Sequence, residues 1–173
     1  MSAELLKQLE AAAAGASAYA DAAKAAVRAL VSKNGKLDRA ALDAEQHAVH
    51  GLAWIATYAE TLREVRDWAL GLSEAGKFGE TEQLLAKLLA AEYSAQLAGG
   101  VPMTQVETIR PSDFGVAAPT VAVYVTQAEK TRLAARLHEA QGRATFENTN
   151  LDHDFELIRD QFRKFTDDRI VPH

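Results

Sequence analysis

His47 and His50 are the side chains whose type and spacing first invite chemistry, within "AEQHAVHGLAWIATYAE" at residues 44–60. On a helix, residues three and four apart share a face, so Asp43, His47, His50 and Trp54 would line up. A catalytic zinc takes three protein ligands and a structural one takes four. Two imidazoles and Asp43 approach that set, with Asp152, His153 and Asp154 as distant donors. The pattern nevertheless departs from the helical metal motifs. Ala48 follows His47 where HExxH places its Glu, and Glu45 is followed three places on by Ala48 rather than the His of di-iron bundles. The bland alternative is that the imidazoles extend the Trp54/Tyr58 line onto a half-buried surface. On that reading His47, His50, Trp54 and Tyr58 are interface candidates.

Two other clusters carry less. "DHD" at Asp152–Asp154 cannot converge on one ion from a helix, because adjacent positions point about 100° apart. Before an apolar run these residues read as first-turn groups facing the positive end of a helix dipole. "SDFG" at Ser112–Gly115 matches a kinase metal-binding tripeptide, but no glycine-rich loop, VAIK lysine or HRD loop accompanies it. GxSxG, GxGxxG and Walker patterns do not occur. The residues themselves therefore name no catalytic, cofactor-binding or metal-ligating set.

The elements that would position these side chains are helical. Alanine, the strongest helix former, dominates the first half. A first helix is predicted over Ser2–Val31, with Gly15 as a weak point and "SKNGK" (Ser32–Lys36) as its Asn-Gly stop. Asp38 caps a second helix running to Leu72. Its stripe Val49, Leu52, Ile55, Ala59, Leu62, Val65, Ala69, Leu72 steps by three and four. Trp54, Tyr58, Thr61, Val65 and Trp68 lie beside that stripe, an arc wide enough for two or more neighbours, while Glu60, Arg63, Glu64 and Asp67 mark the wet side. "SEAGKFGE" is a turn. A third helix, Thr81–Ala98, turns Leu84, Leu85, Leu88 and Leu89 inward.

From Val101 to Val125 the pattern breaks around Pro102, Pro111 and Pro119, and a structureless stretch of that length implies an arm laid over the bundle or a partner. "TVAVYV" within it is β-branched, but one strand makes no sheet. Thr126 with Glu129 forms a capping box opening a fourth helix through Leu133 and Leu137 to Gly142. Polar "RATFENTN" follows, and a last helix runs from about Leu151 to Pro172. The expected fold class is all-α, a bundle of four to five helices with a long irregular arm.

Composition agrees with one globular unit. The chain has 173 residues, 48% hydrophobic and 25% charged, with a net charge of −5. Domains of roughly this size bury about 70% of their unfolded surface and need no staples. The negative charge and the lack of any Lys/Arg cluster argue against nucleic acid. With no cysteine there can be no disulfide, thiolate or Cys-ligated zinc, which suits a reducing compartment. No signal-peptide pattern opens the chain, and no run approaches the ~20 apolar residues of a membrane span. The expected location is cytoplasmic.

The last helix adds a resemblance. "FELIRDQFRKFTDDRIVPH" sets Phe155, Ile158, Phe162 and Phe165 on one face, with Leu157 and Ile170 close to it. Its Ile158, Arg159, Phe162, Arg163, Phe165, Ile170, Pro172 and His173 match the helix that opens the N-terminal α-domain of the acyl-CoA dehydrogenase family. Upstream, "LDAEQHAVHGLAWIATYAETLREVRDWA" and "EYSAQLAGGVPM" resemble the helical extension carried by one branch of that family.

The resemblance implies FAD-dependent α,β-dehydrogenation of a short branched acyl-CoA by the intact polypeptide. It implies that residues 1–150 form an accessory domain and 151–173 the first core helix. It also implies a homo-oligomer, a homodimer in the first instance, that passes its electrons to a transfer partner. The family's base, flavin-binding β-domain and C-terminal helical domain follow the opening helix, so no catalytic residue is carried over. The chain by itself is then an assembly or docking part. The other readings are a non-catalytic helical interaction module and a metal-binding bundle built on His47 and His50.

Overall fold

The computed structural model describes residues 2–139, 149 and 151–171. Alanine-rich sequence at residues 2–31 forms helix α1 (Ser2–Val31), unbroken through Gly15. Leu5, Leu9, Ala12, Ala16, Tyr19, Ala23, Val27 and Val31 follow one another at three- and four-residue steps and are buried. The small side chains let α1 lie close along its principal neighbour, the long helix that runs to Glu74.

The Asn-Gly signal does more than stop α1. Asn34 (φ 52°) and Gly35 (φ 74°) both adopt left-handed geometry, the requirement of a type I′ hairpin turn. They join strands β1 (Ser32–Lys33) and β2 (Lys36–Leu37), paired Ser32 to Leu37 and Lys33 to Lys36. Asp38 then caps as expected, its side chain accepting from the Ala41 amide at 3.0 Å.

The expected single second helix is two. Helix α2 (Arg39–Ala44) ends at Glu45, where ψ shifts to 26°, and α3 (Gln46–Glu74) begins at once. No Gly or Pro marks the break. Glu45 still donates to Ala41 at 2.9 Å and Val49 to Glu45 at 3.0 Å, so hydrogen bonding bridges the discontinuity. The α3 stripe packs as predicted: Ile55, Ala59, Leu62, Ala69 and Leu72 are buried, while Val49, Leu52 and Val65 are half-buried. Its neighbours are α1 on one side and α4 (Glu80–Gly99) on another. Arg63 on the wet side pairs with Glu60, Glu64 and Asp67.

In α4 the inward leucines are only partly right. Leu84 is buried, but Leu85, Leu88 and Leu89 are half-buried, and Ala86 and Ala90 occupy the tightest positions. Close helix approach selects small residues there.

The proline-bearing stretch is an arm over the bundle. It holds a short antiparallel ladder, β3 (Val101–Pro102) and β4 (Thr108–Ile109), and a one-turn helix α5 (Pro111–Phe114). Inside the stretch read as irregular, Val101 and Ile109 pair across a tight loop, whereas "TVAVYV" joins no sheet, as expected. Val101, Met103, Ile109, Phe114 and Val123 are buried in the same core as α1, α3 and α4. Helix α6 (Gln127–Glu139) carries the predicted capping box. The Glu129 amide donates to Thr126 Oγ1 at 3.2 Å, and the Thr126 amide donates back to Glu129 Oε2 at 2.8 Å. The predicted stop at Gly142, the polar "RATFENTN" apart from its Thr149, and Pro172 with His173 lie outside the described residues.

Helix α7 (His153–Arg169) starts where Asp152 accepts from the Phe155 amide at 3.0 Å, so "DHD" is a cap and first turn. None of its residues is buried. The architecture is all-α, with two minor ladders.

Candidate functional site

Helix α3 and the arm are held at contact distance by two residues with almost no room between them, Gly51 and Ile109, and a row of rings runs beside that contact. A Cβ on Gly51 would fall 2.4 Å from Ile109 Cγ1. Along α3, residues at four-residue steps stand one above the other. Trp54 Nε1 donates to His50 Nε2 at 3.0 Å, so the neutral His50 ring keeps its proton on Nδ1. The His50–Trp54 and Trp54–Tyr58 rings meet edge to face at 6.3 and 6.4 Å. Tyr58 then stacks on Tyr93 of α4 at 4.2 Å and donates to Gln96 Oε1 at 2.8 Å. Burial, followed by the nearby Tyr93, raises the Tyr58 pKa above the usual phenol value. The ladder runs from an exposed imidazole into the core.

At its outer end lies a hollow of about 560 Å³, lined by Leu42, Asp43, Gln46, His47, His50 and Glu107 among others. His47 and His50 are exposed, Trp54 is half-buried, and Tyr58 is buried within this chain. The four interface candidates thus divide: His47, His50 and the edge of Trp54 reach the surface, and Tyr58 supports them from below. Asp43 lines the same hollow as the imidazoles, although the break at Glu45 places it on α2 rather than on their helix. Asp152, His153 and Asp154 belong instead to the start of α7. Among the described residues no three His, Asp or Glu side chains could hold a metal ion.

Sequence reasoning missed Tyr93, Gln96 and Glu107. Tyr93 and Gln96 stand three apart in a helix, the spacing of a shared face, and that was the available signal. Nothing local foretold Glu107, because its position depends on how the β3–β4 hairpin folds back over α3.

The second notable surface is α7. Phe155, Leu157, Ile158, Phe162, Phe165, Ile170 and Val171 are all at least half exposed, Phe162 to 70%. Charged residues occupy the opposite face. An apolar stripe of this kind is shaped to be covered.

No family profile matches the chain. Its sequence is 44% identical over 161 residues to the (2S)-methylsuccinyl-CoA dehydrogenase of Cereibacter sphaeroides. The matched stretch covers 88% of this chain and 29% of that enzyme, so the chain spans under a third of its relative's length. The likeness read from the sequence is thus to an enzyme named as an acyl-CoA dehydrogenase. No described helix is long and apolar enough to cross a membrane.

Proposed function

We propose that the chain is part of a flavin-dependent acyl-CoA dehydrogenase that oxidises a short branched acyl-CoA, such as methylsuccinyl-CoA, to its α,β-enoyl thioester. Its own task is assembly. Residues 1–150 form an accessory domain that docks on the catalytic core or on a partner subunit. Residues 151–173 provide the first helix of that core. The observation that carries this reading is the uncovered apolar face of α7, on a chain matching 29% of a dehydrogenase. The exposed hollow around His47, His50 and Trp54 marks the docking edge of the accessory domain, with Tyr58 fixing Trp54 from beneath.

FAD, in this reading, is held by parts of the enzyme outside the chain. No catalytic step is assigned to this chain. The enzyme would be a cytoplasmic homo-oligomer passing electrons to a transfer partner.

The test has two parts. The intact polypeptide, purified, is expected to be yellow with bound flavin, and a colourless protein would reject the assignment. Deleting residues 1–150 is expected to change oligomer size or turnover; if both stay the same, the docking role is wrong. The bundle has a closed core of its own from Leu5 to Val123, which favours a second reading as an interaction module without catalysis. A colourless intact protein would leave that reading standing.

A further inference from the structure

Helix α6 is joined to the bundle unlike any of its neighbours. It buries one residue, Leu133, where α1 buries nine. The remaining attachment is a seam of charge along α4. Lys87 Nζ reaches Glu129 at 2.5 Å, and Lys130 Nζ reaches Glu92 at 2.5 Å. Glu80 receives Arg132 at 3.1 Å on one carboxylate oxygen and Arg136 at 3.2 Å on the other. Arg136 Nε also donates to Thr81 Oγ1 at 2.5 Å.

Exposed ion pairs contribute little singly and are screened by salt. At about 0.1 M ionic strength the screening length is already about 10 Å. Among the described residues α6 buries one leucine and is tied to α4 by partly exposed ion pairs, which places it at the low-stability end of the structure.

We propose that α6 is an electrostatic latch: it releases from α4 as a unit, with α1, α3 and α4 still folded, when ion pairing is weakened. Release has a consequence for the chain beyond it. Among the described residues, the last buried anchor before α7 is Leu133 when α6 is docked and Val123 when it is released. The latch therefore sets how much chain separates the bundle from α7, and with it the effective concentration of the two parts for one another. That use rests on the docking role proposed above, but the latch itself does not.

Amide hydrogen exchange of the whole polypeptide, read peptide by peptide at low and high NaCl, tests it. Peptides within residues 127–139 are expected to exchange on the order of tenfold faster between about 0.05 and 0.5 M salt, with those of α1 and α3 unchanged. Glu80→Gln removes the pairs with Arg132 and Arg136, so it should speed exchange at low salt and flatten the salt response. Leu133→Ala should speed exchange at both salts and leave the response steep. Protection of α6 as deep as that of α3, a salt-insensitive α6, or a Glu80→Gln variant with an undiminished salt response overturns the latch. None of those outcomes alters the flavin test, so the two proposals fail separately.

Discussion

Gly51 of α3 and Ile109 of β4 are in direct contact, and the gap between them has no room for a methyl group. A Cβ on Gly51 would lie 2.4 Å from Ile109 Cγ1 and 2.7 Å from its Cδ1. Ile109 is 1% exposed and has nowhere to retreat. This one contact lets the arm lie flat across α3 and brings Glu107 to the rim of the histidine hollow.

Gly51→Ala is accordingly expected to destabilise the bundle, although glycine inside a helix is ordinarily the poorer residue. Alanine would gain about 1 kcal/mol of helix propensity. Overpacking typically costs about 1–3 kcal/mol, and with so short an approach it should prevail, leaving a net loss of about 1–2 kcal/mol. Gly15→Ala is the control, since a Cβ there meets nothing within 4 Å. It should gain up to about 1 kcal/mol. Urea denaturation of both variants decides the sign at each site.

Acid should loosen α6 first. The hydrogen bond from Lys87, then that from the Thr126 amide, hold the Glu129 carboxyl down at about 2, against an ordinary carboxylate value of 4.5. A depressed carboxylate contributes stability that is complete above its unfolded value and is lost as pH falls through its folded one. The window is therefore about pH 4.5 down to about 2. Exchange of α6 amides followed across that range should rise steeply in the wild type and less in Glu129→Gln.

Alkali should act through Tyr19. Its burial in the core, and next the charge of Asp113, push its hydroxyl up to about 12. The sign is opposite to that of Glu129. The neutral phenol favours the fold, so its contribution is present below the unfolded value of 10 and is lost as pH rises from 10 towards 12. Tyr19→Phe should reduce the loss of helical signal in that window, and ultraviolet titration should show one tyrosine ionising near 12.

The α7 face makes a prediction that separates folding from assembly. Phe162 and Phe165 are 70% and 57% exposed, so Phe162→Ser with Phe165→Ser should alter bundle stability by no more than about 0.5 kcal/mol. In the intact polypeptide the same pair should lower the yield of soluble, flavin-containing enzyme severalfold. A large loss of bundle stability would show that α7 packs on the bundle. An undiminished flavoprotein yield would remove α7 from the core.

Much of the helical plan was legible without coordinates, because periodicity and capping are local. The Ile55–Leu72 stripe, the Asp38 cap and the Thr126/Glu129 box all involve residues within a few positions of one another. So does the Asn34-Gly35 signal, although its outcome was a hairpin rather than a simple cap. The break at Glu45 left no trace in sequence, since no residue there is a poor helix former and the interruption depends on how α2 and α3 meet α1.

The sequence by itself determined that this protein is helical, cysteine-free and acidic, and that its last helix bears one apolar face, since each of these follows from composition or from spacing along a single helix. Tertiary structure alone decided that Tyr58 turns inward to Tyr93 and Gln96 while His47 and His50 stay at the surface. It alone placed Glu107 beside them and stapled α6 to α4 through Glu80. Those relationships join residues some 35 to 60 positions apart, and contacts at that separation are set by which faces can be buried together, a property of the packed whole rather than of any one segment.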